Sequence, residues 1–418
     1  MNLDSATSPL RTNGTARPSG PDAAVVAKDL GRRPRVLLVG PMPPTKGGVT
    51  TFMLNLMGSP LSEAFEFIAF TTARPAKRDV IDNWGYGSML QGGAGRMVLG
   101  ALITLWHLIA FPFAVIGRGI DLVQIQASDY QVFWESALYA LMARALRRPV
   151  LFRIGGAFDI FQGQSPPAVQ RWIGAVLRLP QCVIAQSHFA HDFIRSAGRG
   201  GEIVVLPNWP RDEPTTRPRR SASAAATFLF IAGMEARRKG IEQVLEAAKL
   251  LSDRGSSARF HLLAMTPSLL ARVASLKLTN IQAAEGRVGH DRVLALMGST
   301  EVLLLPSHGE GFPNTLVEAM AAGMASIVTP VGAVPEMVAD GGALVVPVGD
   351  SGALAAAIER LAGDAGLREQ LGRQAQSILR VRYTAAAALP PLAAAYRRLL
   401  ASSRSRVGAG PSLEADRP

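Results

Sequence analysis

The stretch RPRVLLVGPMPPTKGGVTTFMLNL, residues 33–56, divides into three parts. Val36 to Val39 make a short apolar run of strand length. Pro41, Pro43, Pro44, Gly47 and Gly48 interrupt regular structure after it, and an apolar-periodic segment from about Val49 predicts a helix. A strand, a glycine loop and a helix in that order open a doubly wound α/β unit. Gly47 and Gly48 let the backbone approach an anion while the helix start supplies partial positive charge. A tight turn uses the same two glycines equally well, and the spacing is not G-x-G-x-x-G, so no dinucleotide fingerprint is matched.

The alternation continues outward from this unit. GIDLVQIQA, RPVLFRIGG and QCVIAQS are further short strands separated by helical patterns, as a parallel sheet with helices on both faces demands. After residue 211 the chain loses apolar periodicity and concentrates Pro, Ser and charge, the composition of a linker over 212–226. Then the alternation restarts with TFLFIAG, KGIEQVLEAAKLL, RFHLLA, HDRVLALMGST, EVLLLPS, TLVEAMAAG, ASIVTP, ALVVP and ALAAAIERLAG. The expected fold class is α/β: a first doubly wound domain over 34–211 and a second over 227–384. A helix over 385–403 is expected to pack back on the first domain. Residues 1–33 and 404–418 read as a disordered lead-in and tail. The lead-in is rich in Ser, Thr, Pro and Gly and has no apolar h-region, so it does not read as a secretory signal.

Composition narrows the partners. Lys and Arg total 44 against 32 Asp and Glu, a formal charge of +12 that favours anionic ligands. The basic residues are scattered or in short pairs without aromatic interleaving, so nucleic acid is not expected. The one cysteine, Cys182, lies in an apolar run and excludes an intrachain disulfide or a zinc cluster of cysteines. Residues 97–116, MVLGALITLWHLIAFPFAVI, carry no formal charge and are long enough to span a bilayer core. Their place before a parallel strand predicts instead a crossover helix, buried or lying on a membrane surface. A single span is the alternative.

Two clusters carry chemistry. Arg237, Arg238 and Lys239 fall at the start of a helix directly after a strand, where cations oppose the macrodipole unless a bound diphosphate reverses the sign. A solvated basic turn is the other reading. In SHGEGFPNTLVEAM, residues 307–320, Glu310 sits at the carboxyl end of a strand, where open α/β sheets bind ligands. Asn314 is placed to cap the following helix, Gly323 to end it, and the free N–H groups around Thr315 and Leu316 to meet a phosphate. Glu318, about one turn in, is placed to accept hydrogen bonds from two vicinal hydroxyls.

The run SHGEGFPNTLVEAMAAGMASIVTPVGAVPEMV resembles the E-x7-E signature of retaining, nucleotide-sugar-dependent glycosyltransferases of family 4, which have the two-domain GT-B fold. The likeness extends upstream through EGRVGHDRVLALMGSTEVLLLPS and RRKGIEQVLEAA, and more loosely to residues 39–56. The resemblance implies Glu310 and Lys239 as catalytic groups, the first by the transferred sugar and the second on the diphosphate. It implies Glu318 on the ribose and Gly311, Phe312, Pro313, Asn314, Thr315 and Leu316 along the diphosphate. Gly47 and Gly48 would face the donor from the first domain.

Two departures stand out. Where the family reads G-R-L, this chain has Gly233-Met234-Glu235, so Arg237 or Arg238 is left to replace the missing arginine. Where many members carry a histidine on the strand DLVQIQ, this chain has Gln124 and Gln126, and His188 and His191 match no such role. No D-x-D pair occurs in the sequence, so a metal on paired aspartates is not expected; nor is any cofactor beyond the nucleotide-diphosphate sugar as donor. The implied protein is cytoplasmic or peripheral on the inner face of the cell membrane. It would transfer a sugar to a glycan or lipid-linked acceptor in cell-surface polysaccharide or glycolipid synthesis. A nucleotide-sugar-binding subunit with weak catalysis is the rival.

Overall fold

The computed structural model describes residues 32–43, 45, 47–73, 93–128, 130–211, 226–233, 236–286 and 288–408. The linker of 212–226, apart from Ala226, lies outside the described residues, as do Lys46, Met234 and Glu235.

The first half runs β1 (Arg35–Gly40), α1 (Gly48–Met57), α2 (Leu61–Ala64), β2 (Glu66–Thr71), α3 (Gly93–Gly117), β3 (Leu122–Ala127), α4 (Tyr130–Ala145), β4 (Val150–Ile154), α5 (Phe158–Gln164), α6 (Pro167–Val176), β5 (Cys182–Ala185), α7 (His188–Ser196) and β6 (Glu202–Val205). The second half runs β7 (Thr227–Ile231), α8 (Ile241–Asp253), β8 (Arg259–Met265), α9 (Pro267–Ser275), β9 (Ile281–Glu285), α10 (His290–Ser299), β10 (Val302–Leu305), α11 (Asn314–Ala321), β11 (Ala325–Val328), α12 (Val334–Met337), β12 (Ala343–Val345), α13 (Ser351–Gly363), α14 (Ala365–Arg382) and α15 (Ala385–Gly408).

Each half builds one six-stranded parallel sheet, ordered β2-β1-β3-β4-β5-β6 and β12-β11-β10-β7-β8-β9. The strands are apolar on both faces because helices cover both. Leu37, Val39 and Ile125 point into one core with α3, α4, α6 and α7, whereas Val36, Leu38 and Leu122 point into another with α1 and α15. Strand order reverses at β1 in the first sheet and at β7 in the second. The loops leaving the carboxyl ends of β1, β7 and β10 therefore open on the crevices where such sheets take ligands.

The last helix belongs to the first core. Leu392, Ala395, Tyr396 and Leu400 of α15 are buried there against Phe65 and Leu38, and the Tyr396 hydroxyl donates to Gln124 Oε1 on β3. Burying a tyrosine ring of this size contributes about 2 kcal/mol, and the hydroxyl is satisfied. The chain thus crosses back over the cleft and ties its two halves together.

The helix over 97–116 is not a buried one. Phe111 and Val115 reach the core, packing with Phe70 and Tyr139, but most of α3 faces outward. In chain order it lies between the parallel strands β2 and β3, the place of a crossover helix. The physical reason is thin cover: the helix is apolar on nearly every side, and only the side of Phe111 and Val115 reaches the core.

Candidate active site

Ser307 to Pro313 form the turn between β10 and α11, and Glu310 stands on it, 8 % exposed. Ser307 Oγ donates to Glu310 Oε1 at 2.8 Å, and Arg238 lies 3.4 Å from Oε2 while donating to the Gly309 carbonyl. The turn is closed from behind by Gly332, whose φ of 55° lies in the left-handed region. A Cβ there would stand 1.8 Å from the Glu310 carbonyl oxygen, so only glycine fits.

Arg238 and Lys239 occupy the turn between β7 and α8. Gly240, at φ 85°, is the N-cap of α8, so both cations precede the helix and do not sit in it. This relieves part of the macrodipole conflict expected from the sequence. Lys239 Nζ donates to the Ile231 carbonyl at 3.5 Å. Arg238 lines the cleft, whereas Arg237 points outward and is exposed.

An open cleft lies between the halves. Of the residues singled out from the sequence, Gly48, Arg238, Lys239, Glu310, Gly311, Phe312, Pro313, Asn314 and Thr315 line it. Gly47, Leu316 and Glu318 do not line this cleft. Leu316 is in the core, and its N–H already bonds the Pro313 carbonyl at 3.0 Å, so it has none to offer a phosphate. Asn314 and Thr315, the first residues of α11, have no carbonyl within the helix to bond and keep that capacity.

Asn314 corrects a second expectation. Pro313 is the N-cap of α11, without a side-chain cap. The Asn314 side chain instead reaches the first domain: its amide donates to the Gly48 carbonyl at 3.4 Å, and its oxygen accepts from Asn208 at 2.5 Å. Gly323 does follow the end of α11, at φ 63°. Glu318 stands one turn into α11, 13 % of its side chain accessible, with His290 Nδ1 at 3.8 Å. Burial pushes its carboxyl up to about 7, and the charge of Lys239 draws it partly back.

Sequence reasoning missed several groups here. Arg153 on β4 is 1 % exposed, stacks 3.6 Å from the Phe52 ring centroid and donates to Asn208 Oδ1. Burial without a carboxylate beside it pushes its guanidinium down to about 9. An arginine inside the apolar strand VLFRI was the visible signal. Gln186 joins the same network at 3.3 Å from Asn208 Oδ1. Asp159, at the start of α5, lines a small apolar recess with Phe158, Phe189 and Phe193, next to Gly311. Burial raises its carboxyl, and the backbone N–H groups of Ile160 and Asp159, then the Arg238 charge, offset part of the rise.

Three cations, Arg153, Arg238 and Lys239, therefore line the cleft against one carboxylate, Glu310. This balance suits an anionic ligand. Gln124 is tied to Tyr396, and neither it nor Gln126, His188 or His191 lines the cleft. His188 serves a different contact: its N–H and that of Phe189 donate to Glu336 of the second domain at 2.9 and 3.4 Å. Among the described residues no group of three His, Cys, Asp or Glu side chains converges as a metal site would require.

Residues 225–364 match the model of the family described as Glycosyl transferases group 1. The chain is 28 % identical over 176 residues to an alpha-D-kanosaminyltransferase of Streptomyces kanamyceticus, covering 41 % of this chain and 46 % of that protein. It is 30 % identical over 149 residues to the putative colanic acid biosynthesis glycosyltransferase WcaL of Escherichia coli K12, covering 33 % and 36 %. The alignments span about half the length of the first curated relatives or less. Its fold is that of a sucrose-phosphate synthase from Thermosynechococcus elongatus, with TM-score 0.68 and 19 % identity over 88 % of this chain and 100 % of the other. Anabaena HepE, solved with UDP-glucose, has TM-score 0.61 and 15 % identity over 89 % and 99 %. The two facing sheets are thus the GT-B arrangement.

Proposed function

We propose, from a GT-B chain whose second domain is a group 1 glycosyl transferase domain, that this protein moves a sugar from a nucleotide-diphosphate sugar to a hydroxyl acceptor with retained anomeric configuration. The observation that carries the reading is the cleft floor: Glu310, held by Ser307 and Arg238, beside Lys239 and the first turn of α11. The neighbour solved with UDP-glucose supports a nucleotide sugar as the ligand class.

The chemistry follows from the charges. As the bond from the anomeric carbon to the diphosphate oxygen breaks, negative charge grows on the diphosphate. Lys239, Arg238 and the amides of Asn314 and Thr315 are preorganised for it, which lowers the barrier without reorganisation. Arg238 takes the place of the arginine that Met234 displaces. The acceptor oxygen attacks on the face the diphosphate leaves, and its proton passes to a departing diphosphate oxygen. Glu310 positions the sugar hydroxyls and stabilises the developing positive ring; it forms no covalent bond. Glu318 accepts the ribose hydroxyls.

The reading includes a hexose as the sugar, family 4 membership and metal independence, the last supported by the absence of D-x-D in the sequence. It includes a role in cell-surface polysaccharide or glycolipid assembly, in the cytoplasm or on the inner face of the cell membrane, with contact through 97–116. The test is a panel of nucleotide sugars screened by thermal shift, followed by nucleoside diphosphate release with acceptor present. A donor should raise the melting temperature and be turned over by the native chain but not by Glu310→Ala. Binding without turnover in the native chain would favour the non-catalytic subunit instead, and transfer that survives Glu310→Ala would sink the assignment of Glu310.

A further inference from the structure

Among the described residues, the outer face of the first domain carries a row of exposed apolar side chains. Along α3, Val98, Leu102, Trp106, Ile109, Phe113 and Ile116 are each more than half exposed. Their spacing of three and four residues puts them in one row on the side opposite Phe111 and Val115, which are fully buried. At about 1.5 Å per residue the row is about 27 Å long. The neighbouring helices extend it. Val132, Leu138 and Leu141 of α4 and Trp172 of α6 are between 44 % and 68 % exposed, and both helices pack on the same core as α3. A contiguous apolar surface of this kind on a soluble domain marks an interaction site.

Charge identifies the occupant. Between residues 98 and 180 the exposed charged side chains among the described residues are Arg118, Arg144, Arg147, Arg171 and Arg178, and no exposed carboxylate accompanies them. Arginines beside an apolar row with two exposed tryptophans complement an anionic lipid surface, where indole rings settle at the headgroups and cations meet phosphate. A second copy of the chain fits poorly, because a two-fold contact would set this basic surface against itself.

The orientation adds a consequence. The chain enters α3 and α4 from the carboxyl ends of β2 and β3, so both helices begin at the cleft side of the sheet. Ser128, immediately after β3, lines the cleft itself. We infer that α3, α4 and α6 form a docking face for the surface of an anionic bilayer, placing the mouth of the cleft at the membrane to receive an acceptor carried on a lipid. The docking half deepens the membrane contact through 97–116 included in the proposed function, and the acceptor half rests on the transferase reading of the cleft.

The test is flotation of the full chain with vesicles of phosphatidylcholine alone or mixed with phosphatidylglycerol. The native protein should float with the mixed vesicles, weakly or not at all with phosphatidylcholine, and be released by high salt. The double variant Trp106→Glu with Phe113→Glu changes two exposed side chains and should lower the bound fraction about ten-fold or more. Its thermal shift with nucleotide sugars should match that of the native chain, so a failed docking face and a failed donor site are told apart. Three results would overturn the docking face: no flotation with either vesicle, resistance to alkaline carbonate, or a dimer in solution that the double variant converts to monomer. Equal turnover of a water-soluble acceptor and its lipid-linked counterpart on vesicles would remove the acceptor half alone.

Discussion

Arg238 Nη1 stands 3.4 Å from Glu310 Oε2, an ion pair between the turns that follow β7 and β10, both nearly withdrawn from solvent. A pair so placed is costly to break, because removing one member leaves the other buried and unpaired. Each therefore holds the other in position. On the proposed function a diphosphate would give Arg238 a second anion to share, while Glu310 would keep its bond from Ser307.

Substitution of Glu310 should separate binding from turnover. Glu310→Gln keeps the Ser307 bond and the volume but removes the charge proposed to steady a positive sugar ring. Transfer should fall about a hundred- to a thousand-fold while the thermal shift with nucleotide sugar persists. Lys239→Ala should lower transfer to a similar degree and also weaken the nucleoside diphosphate, measured by titration calorimetry.

Glu318 gives a pH dependence whose sign is fixed. Its carboxyl is held near 7 against an ordinary value of 4.5, so the folded protein binds this proton more tightly than the unfolded chain. The stability it contributes is complete below about 4.5 and lost as pH rises through about 7, a change on the order of 3 kcal/mol. Glu318→Gln should therefore melt higher than the native chain at pH 8 and about equally at pH 4.5, read by calorimetry without ligand.

Gly311 tests closure of the cleft. A Cβ at Gly311 would lie 2.1 Å from the Gly156 carbonyl oxygen of the opposite domain. Its φ is not in the left-handed region, so Gly311→Ala should unfold within about 1 kcal/mol of the native chain. The domains should nevertheless stand further apart, seen as a larger radius of gyration in solution scattering and a raised KM for the donor.

Glu336 reaches from α12 to the first turn of α7, where the helix dipole and two N–H groups favour its charge. Ser187 already caps that helix from within its own domain, accepting from Ala190. Glu336→Ala should leave α7 intact yet speed amide exchange at His188 and Phe189, measured by hydrogen exchange mass spectrometry. Unchanged exchange there would remove Glu336 as a contact between the domains.

The strands read most securely from the sequence are those in the sheet interiors. Val36–Val39 and EVLLLPS are bounded apolar runs because both faces of β1 and β10 are covered. The unread strands β2, β6 and β9 all lie at sheet edges, half exposed, where the apolar pattern thins. The site divided in the same way. Glu310, Lys239 and the start of α11 follow strands directly, so their placement was local. Arg153 and Asn208 come together only through folding, 55 positions apart.

By itself the sequence determined two α/β halves and the placement of Glu310, Glu318 and Lys239 at element ends, because period and turn chemistry act over a few residues. The tertiary structure alone decided that Arg238 and not Arg237 enters the cleft. It decided that Asn314 serves the Asn208 contact 106 positions away and caps no helix. It also decided which side of α3 faces outward, that of Trp106 and Phe113. Each outcome depends on which distant surface arrives beside a side chain, and no local period carries that information.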